Sequence, residues 1–220
     1  MTDKEANLRR DLVQTCREMQ AKGLSKGTSG NVSVRSGDGF LISPTGIPYE
    51  DLHPDQVVRM RWDGSFDEPI LPSSEWRFHA DILRTRSDLN AVVHTHSLNA
   101  TAVAILGRDI PPIHYLIAAA GGENIRCAPY ATFGTQALAD LAVAALVGRK
   151  ACLLAHHGAI AANISLAGAL KLAETVEELA ELYLKCLAVG EPPVLREDQI
   201  AEVLVRFRTY GQQRAAPERA

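Results

Sequence analysis

Cysteine is scarce and scattered: Cys16, Cys127, Cys152 and Cys186 are the only four in 220 residues. No two form a C-x-x-C pair, so a zinc ribbon or dithiol redox motif is excluded, and the four read as reduced, mostly buried thiols. No stretch reaches the roughly 18 uninterrupted apolar residues of a membrane-spanning helix, and the opening MTDKEANLRRD lacks the apolar run of a secretory signal. A cytoplasmic location is the expectation, and thiols stay reduced there. A basic excess is also missing. The 23 Lys+Arg against 26 Asp+Glu give a formal charge of −3, which excludes the positive field that nucleic acids and anionic membranes require but leaves room for local sites that take a small anion. Internal repeats, low-complexity tracts and linkers are absent. The expectation is therefore one domain over residues 1–220, with only 211–220 frayed.

What is present is an ordinary globular mixture, 46% hydrophobic and 22% charged, in a chain long enough to bury one substantial core. Leu8, Leu12, Val13, Cys16 and Met19 recur at helical spacing and end before Gly23. Val32–Arg35 and Phe40–Ser43 flank Gly37-Asp38-Gly39 and predict a β-hairpin. A strand over Val57–Trp62 follows, then a helix opened by Pro72-Ser73-Ser74-Glu75, with a serine as N-cap, that runs to about Arg86. Ala91–His96 reads as a strand, Ala100–Leu106 as a helix, Arg126–Tyr130 as a strand, Thr135–Val147 as a helix and Ala151–Ala155 as an apolar strand. Two amphipathic helices close the chain, Ser165–Val189 and Asp198–Tyr210. Helices and strands alternate throughout.

Chemistry concentrates in the histidines. On a strand, residues i and i+2 project from one face, so His94 and His96 aim both imidazoles at one point while Thr95 faces away. Such a pair suits zinc, which takes imidazole nitrogens. A second cluster, His156-His157-Gly158, ends the apolar strand. Adjacent strand residues face opposite sides, so at most one of the two joins the first pair, and periodicity does not say which. Glu75 opens a helix, where a carboxylate gains about 0.3–1 kcal/mol from the helix dipole or serves as a base near a metal. Glu75 and His79, one turn apart, form a competing Glu/His metal pair. Thr28-Ser29-Gly30-Asn31, Ser43-Pro44-Thr45-Gly46 and Ser73-Ser74 each offer the backbone N–H donors that phosphate binding needs.

Taken in order, Gly27–Ser33, Ser43–Gly46, Pro72–Glu75, His94–His96 and His157-Gly158 resemble the motifs of the class II aldolase and adducin-like family: G-T-x-G-N-x-S, a T-G loop, P-S-S-E before a helix, H-x-H on a strand and a later H-G. The resemblance runs almost end to end. It implies an α/β (α+β-like), three-layer fold with a central, mainly antiparallel β-sheet flanked by helices. It also implies a homotetramer with active sites between subunits and one zinc ion per subunit held by His94, His96 and His157, with Glu75 reaching the metal at rest. Gly30, Asn31, Thr45, Gly46, Ser73 and Ser74 match the phosphate and substrate loops, with Thr28 beside them. Tyr115 matches a catalytic tyrosine donated by a neighbouring subunit, and Phe133 and Tyr210 match the aldehyde side of the pocket.

The implied activity is aldol cleavage of a phosphorylated ketose. Three neutral histidines leave a zinc ion its full charge and open positions for the ketone, the arrangement of a catalytic site. Glu75 is the candidate base toward dihydroxyacetone phosphate, because a carboxylate with a pKa of about 4.3 is ionised at neutral pH, and Tyr115 exchanges a proton with the aldehyde oxygen. The competing readings are another sugar-phosphate enzyme of the family, such as a ribulose phosphate 4-epimerase, decarboxylase or dehydratase, or a non-catalytic module like the adducin head.

Overall fold

The computed structural model describes residues 2–207. Seven strands form one sheet in the order β3-β2-β1-β4-β7-β6-β5. They are β1 Asn31–Ser36, β2 Gly39–Ile42, β3 Val58–Arg61, β4 Ala91–Thr95, β5 Arg126–Ala128, β6 Ala151–Leu154 and β7 Gly158–Asn163. Every neighbouring pair is antiparallel except β5 with β6. Six helices cover it: α1 Asp3–Ala21, α2 Trp76–Thr85, α3 Leu98–Ile105, α4 Gln136–Ala145, α5 Leu166–Leu187 and α6 Glu197–Phe207.

Strand alternation sorts the apolar side chains into two cores. Val32, Val34, Ala91, Val93 and Ala161 point to one face, where they meet Leu12, Cys16 and Met19 of α1, Val103 of α3 and Leu172, Val176 and Leu179 of α5. Phe40, Val92, Cys152, Ile160 and Ala162 point to the other, against Phe78 and Ile82 of α2 and Leu138 and Ala142 of α4. The result is the expected three-layer, mixed α/β fold with a mostly antiparallel sheet. The predicted hairpin is β1–β2, in the register Val34↔Leu41 and Ser36↔Gly39. All four cysteines are free thiols, and no described helix is long and apolar enough to cross a membrane.

Two local readings change. The strand β7 was not foreseen, because its sequence Gly-Ala-Ile-Ala-Ala-Asn has a single β-branched residue, Ile160, and no aromatic among alanines, which do not favour strands. It is a strand because it is hydrogen-bonded on both edges, to β4 and β6, and its alanines let α5 lie close. The helix predicted from Ser73 starts later. Its N-cap is Glu75, whose side chain makes no capping bond, so this carboxylate is not spent on its own helix.

Candidate active site

The site is assembled where β1, β4 and the β6–β7 turn end beside the start of α2. Asn31 and His94 are cross-strand partners in the β1–β4 register, so the first residue of β1 lies next to the first histidine. His94 projects toward α2 and meets Phe78 edge-on, with ring centroids 5.3 Å apart. His96 follows just past the end of β4 on the same face. The period-2 reading of this pair is what the structure has: the Nε2 atoms of His94 and His96 are 2.9 Å apart.

A tight turn decides between His156 and His157. Both lie between β6 and β7 rather than on a strand, and His156 takes the left-handed conformation with φ 58°, a region that residues other than glycine enter at a cost of about 1–3 kcal/mol. That reversal leaves His156 exposed and turns His157 inward. Gly158 lets the turn close, since a Cβ there would lie 2.2 Å from the Thr95 carbonyl oxygen. The rings of His94, His96 and His157 then stand 4.8–4.9 Å apart, near perpendicular to one another at 73–86°.

Glu75 completes the group. Its Oε2 is 3.2 Å from His94 Nε2 and its Oε1 is 3.2 Å from His157 Nε2. One donor atom from each of Glu75, His94, His96 and His157 lies within 4.8 Å of all the others, so the four could hold a metal ion. Glu75 is 6% exposed, yet its Oε1 has no hydrogen-bond partner, an arrangement that is costly unless a cation or ligand faces it. His94 Nδ1 lies 2.9 Å from the Ala159 carbonyl, which only accepts. The proton therefore sits on Nδ1 and the Nε2 lone pair is presented to the cluster, the second-sphere pattern of metal-binding histidines.

The electrostatics fit the same donor set. Burial, with the neighbouring imidazoles, pushes His96 down to about 3 and His157 down to about 4, so both are neutral at pH 7, the form a metal takes. Burial alone would raise the Glu75 carboxyl, but the His94 and His157 imidazoles and the Asn31 amide outweigh it and hold the group well below the usual carboxylate range. The rival Glu75/His79 pair does not form a donor set. His79 is fully buried and bonded to Ser33 and Asn31 instead.

The three loops read as phosphate sites converge on Ser43. The Ser43 hydroxyl accepts from Val32 N–H at 3.1 Å, the Ser43 carbonyl accepts from Ser73 N–H at 3.0 Å, and Leu71 O accepts from Thr45 N–H at 3.1 Å. Gly30, with φ 74°, cannot be replaced, because a Cβ would lie 2.7 Å from the His94 carbonyl oxygen. Thr28, Thr45, Gly46 and Ser74 are exposed, whereas Asn31 and Ser73 are buried. Ser73 Oγ accepts from Glu75 N–H at 3.3 Å, and Asn31 Nδ2 donates to Glu75 Oε2 at 3.0 Å.

Tyr115 lies in the layer opposite the histidines, whereas the Phe133 loop packs beside Ser74 and the start of α2. Tyr115 opens a 3-10 segment, Tyr115–Ala120, that packs with α5 and α6, in the layer opposite α2. It is 48% exposed and touches His114 and Phe207. Phe133 is 65% exposed in the loop that Arg77 Nη1 fixes by donating to Gly134 O at 2.8 Å. Tyr210 and the tail 211–220 lie outside the described residues. Sequence reasoning missed Tyr49, whose hydroxyl donates to the Gly30 carbonyl at 2.5 Å. It also missed Glu177 of α5, whose carboxylate accepts from Asn99 N–H and Ala100 N–H at 2.9 and 2.8 Å and so caps α3, the helix that follows His96. Neither has a signature, since each acts on a partner far away along the chain.

A mostly antiparallel sheet between helix layers thus carries three histidines and a glutamate that converge at its strand ends and could hold a metal ion. Residues 10–184 match the model of the Class II Aldolase and Adducin N-terminal domain, and the chain belongs to that family. It is 56% identical over 205 residues to L-fuculose phosphate aldolase of Escherichia coli (strain K12), covering 93% of this chain and 95% of that one. It is 52% identical over 210 residues to 5-methylthioribulose-1-phosphate/5-deoxyribulose-1-phosphate aldolase of Rhodospirillum rubrum, covering 96% and 95%. Among solved structures, an L-fuculose 1-phosphate aldolase superposes with TM-score 0.89 at 36% identity, over 92% of this chain and 96% of that one. The L-fuculose-1-phosphate aldolase of Thermus thermophilus does so with TM-score 0.74 at 30% identity, over 86% and 100%.

Proposed function

We propose that this chain is a zinc-dependent aldolase that reversibly cleaves L-fuculose 1-phosphate to dihydroxyacetone phosphate and L-lactaldehyde in the cytoplasm. The observation that carries the reading is that donor atoms of Glu75, His94, His96 and His157 lie within 4.8 Å of one another and that the buried Oε1 of Glu75 has no hydrogen-bond partner. His94, His96 and His157 would hold the ion, with Glu75 beside it. A divalent ion there supplies Lewis acidity toward the ketone of the substrate.

The rest of the work falls to the chain's own residues. Thr28, Gly30, Asn31, Thr45, Gly46, Ser73 and Ser74 bind the phosphate end and fix the register of the reacting carbons. In the condensation direction Glu75 takes a proton from the carbon beside the ketone of dihydroxyacetone phosphate. Its carboxyl is ionised at neutral pH, so it is ready to accept. Tyr115 of a neighbouring subunit delivers a proton to the aldehyde oxygen, and Phe133 and Tyr210 line the aldehyde end. A homotetramer supplies that neighbour, and the exposure of Tyr115 and its distance in the fold from α2 support this role.

A second reading has one specific observation in its favour: the relative named for 5-methylthioribulose 1-phosphate and 5-deoxyribulose 1-phosphate is, at 52%, nearly as similar as the Escherichia coli fuculose phosphate enzyme at 56%. All three substrates are ketose 1-phosphates that differ at the far end. Release of dihydroxyacetone phosphate from a panel of L-fuculose, 5-deoxyribulose, 5-methylthioribulose and ribulose phosphates, with and without a chelator, separates the readings. Chelator-sensitive release fastest from L-fuculose 1-phosphate is expected; faster release from either deoxypentulose would establish the second reading.

A further inference from the structure

Beside the cluster lies a titratable side chain that the proposed reaction leaves without a task. His79, in the first turn of α2, is 0% exposed. Asn31 and Ser33, two residues apart on β1, both project toward it: Ser33 Oγ is 2.7 Å from His79 Nδ1 and Asn31 Oδ1 is 2.5 Å from His79 Nε2. Asn31 Nδ2 in turn is 3.0 Å from Glu75 Oε2.

For a neutral ring, only one pattern of protons satisfies this chain. A carboxylate accepts and does not donate, so the NH₂ end of Asn31 faces Glu75 and its carbonyl oxygen faces His79. That oxygen requires a proton on His79 Nε2, which leaves Nδ1 to accept from the Ser33 hydroxyl. Turning the amide over would set two oxygens against each other at Glu75. Burial favours the neutral ring that this pattern needs, pushing His79 down to about 3.

We propose that His79 is a positioning residue for the base: by fixing the Asn31 amide it anchors Glu75 Oε2 and leaves Oε1 as the oxygen that exchanges the substrate proton. Oε1 is the carboxylate oxygen with no hydrogen bond. In that step the C–H bond beside the ketone of dihydroxyacetone phosphate breaks, its electron pair stays on the enediolate, and an O–H bond forms on Oε1. Asn31, matched to the substrate loops by the family motif, thereby sets the geometry of the base as well. The inference rests on Glu75 being the base.

Two variants and one spectrum test it on the zinc-loaded protein. His79→Gln keeps a donor near the position of Nε2, whereas His79→Phe has none. Both should keep their zinc. The Phe variant should lose about 10- to 100-fold in proton exchange between dihydroxyacetone phosphate and solvent, the usual effect of removing an outer-sphere partner. That loss should fall in kcat with KM unchanged, and the Gln variant should recover most of it. Wild-type exchange in His79→Phe, or equal losses in both variants at equal Tm, would overturn the proposal. Independently of activity, ¹H–¹⁵N spectra of the imidazoles should show His79 as the neutral Nε2–H tautomer, and an Nδ1–H or charged ring would overturn it even if His79→Phe fails to fold. A wild-type protein with the expected tautomer but without exchange would sink the aldolase reading alone.

Discussion

Two parts of the proposed pocket are built in opposite ways. Around the candidate metal site three of the four side chains are fixed by the sheet and its turns: His94 by the Ala159 carbonyl, Glu75 by Asn31, and His157 by the turn that His156 closes. Tyr115 and Phe133 have no such scaffold and stand 48% and 65% exposed. The contrast separates the proposed metal and base site from the groups proposed for the aldehyde end. The four groups proposed to meet a metal and a carbon acid converge within one chain, whereas the aromatic groups proposed for the aldehyde are exposed.

Four expectations would break or sharpen that contrast. The largest effect belongs to His157→Ala, which should lose metal and activity together. Removing a Lewis acid costs several kcal/mol, or about 10,000-fold, and a fully metallated, active variant would show that His157 is not a ligand. Next is Glu75→Gln. Three imidazoles should retain the zinc, while proton exchange falls by about 100- to 10,000-fold, the range of general-base contributions; metal analysis beside the exchange assay decides it.

A smaller effect is tied to pH. His79 titrates near 6.5 when unfolded but only at about 3 when folded. Between those values the unfolded chain binds a proton that the folded chain refuses. Stability is therefore full above pH 6.5 and declines as pH falls, by about 1.4 kcal/mol per unit from this group. In the metal-free protein, the loss of unfolding free energy between pH 7 and pH 5 should shrink by about 2 kcal/mol in His79→Gln. Urea titrations at both values measure it. The smallest effect is expected of Phe133→Ala: as an exposed substitution it should change stability by no more than about 0.5 kcal/mol, while raising KM for L-lactaldehyde in the condensation assay. An unchanged KM would remove Phe133 from the aldehyde pocket.

Much of the site was legible because it obeys short-range rules. The pairing of His94 with His96 follows from strand alternation, and the loops at Gly30, Gly46 and Ser73 announce themselves by glycine and hydroxyl residues at turn positions. The strand β7 was hidden because alanines carry no strand preference of their own; its pairing with β4 and β6 decides its state. The N-cap placement of Glu75 was hidden because two serines nearby look like better caps.

The sequence by itself determined the family, the layered α/β architecture and the identities of the chemical groups, since motif order and periodicity are local properties of the chain. Periodicity left His156 and His157 open and only the family resemblance pointed to His157; the physical reason is tertiary, because a left-handed residue in a three-residue turn, not alternation along a strand, sets which imidazole points inward. The linkage of Ser33, His79 and Asn31 to Glu75 is tertiary too. Hydrogen-bond direction depends on atoms brought together across up to 48 residues of chain, and no spacing in the sequence records which way an amide must face.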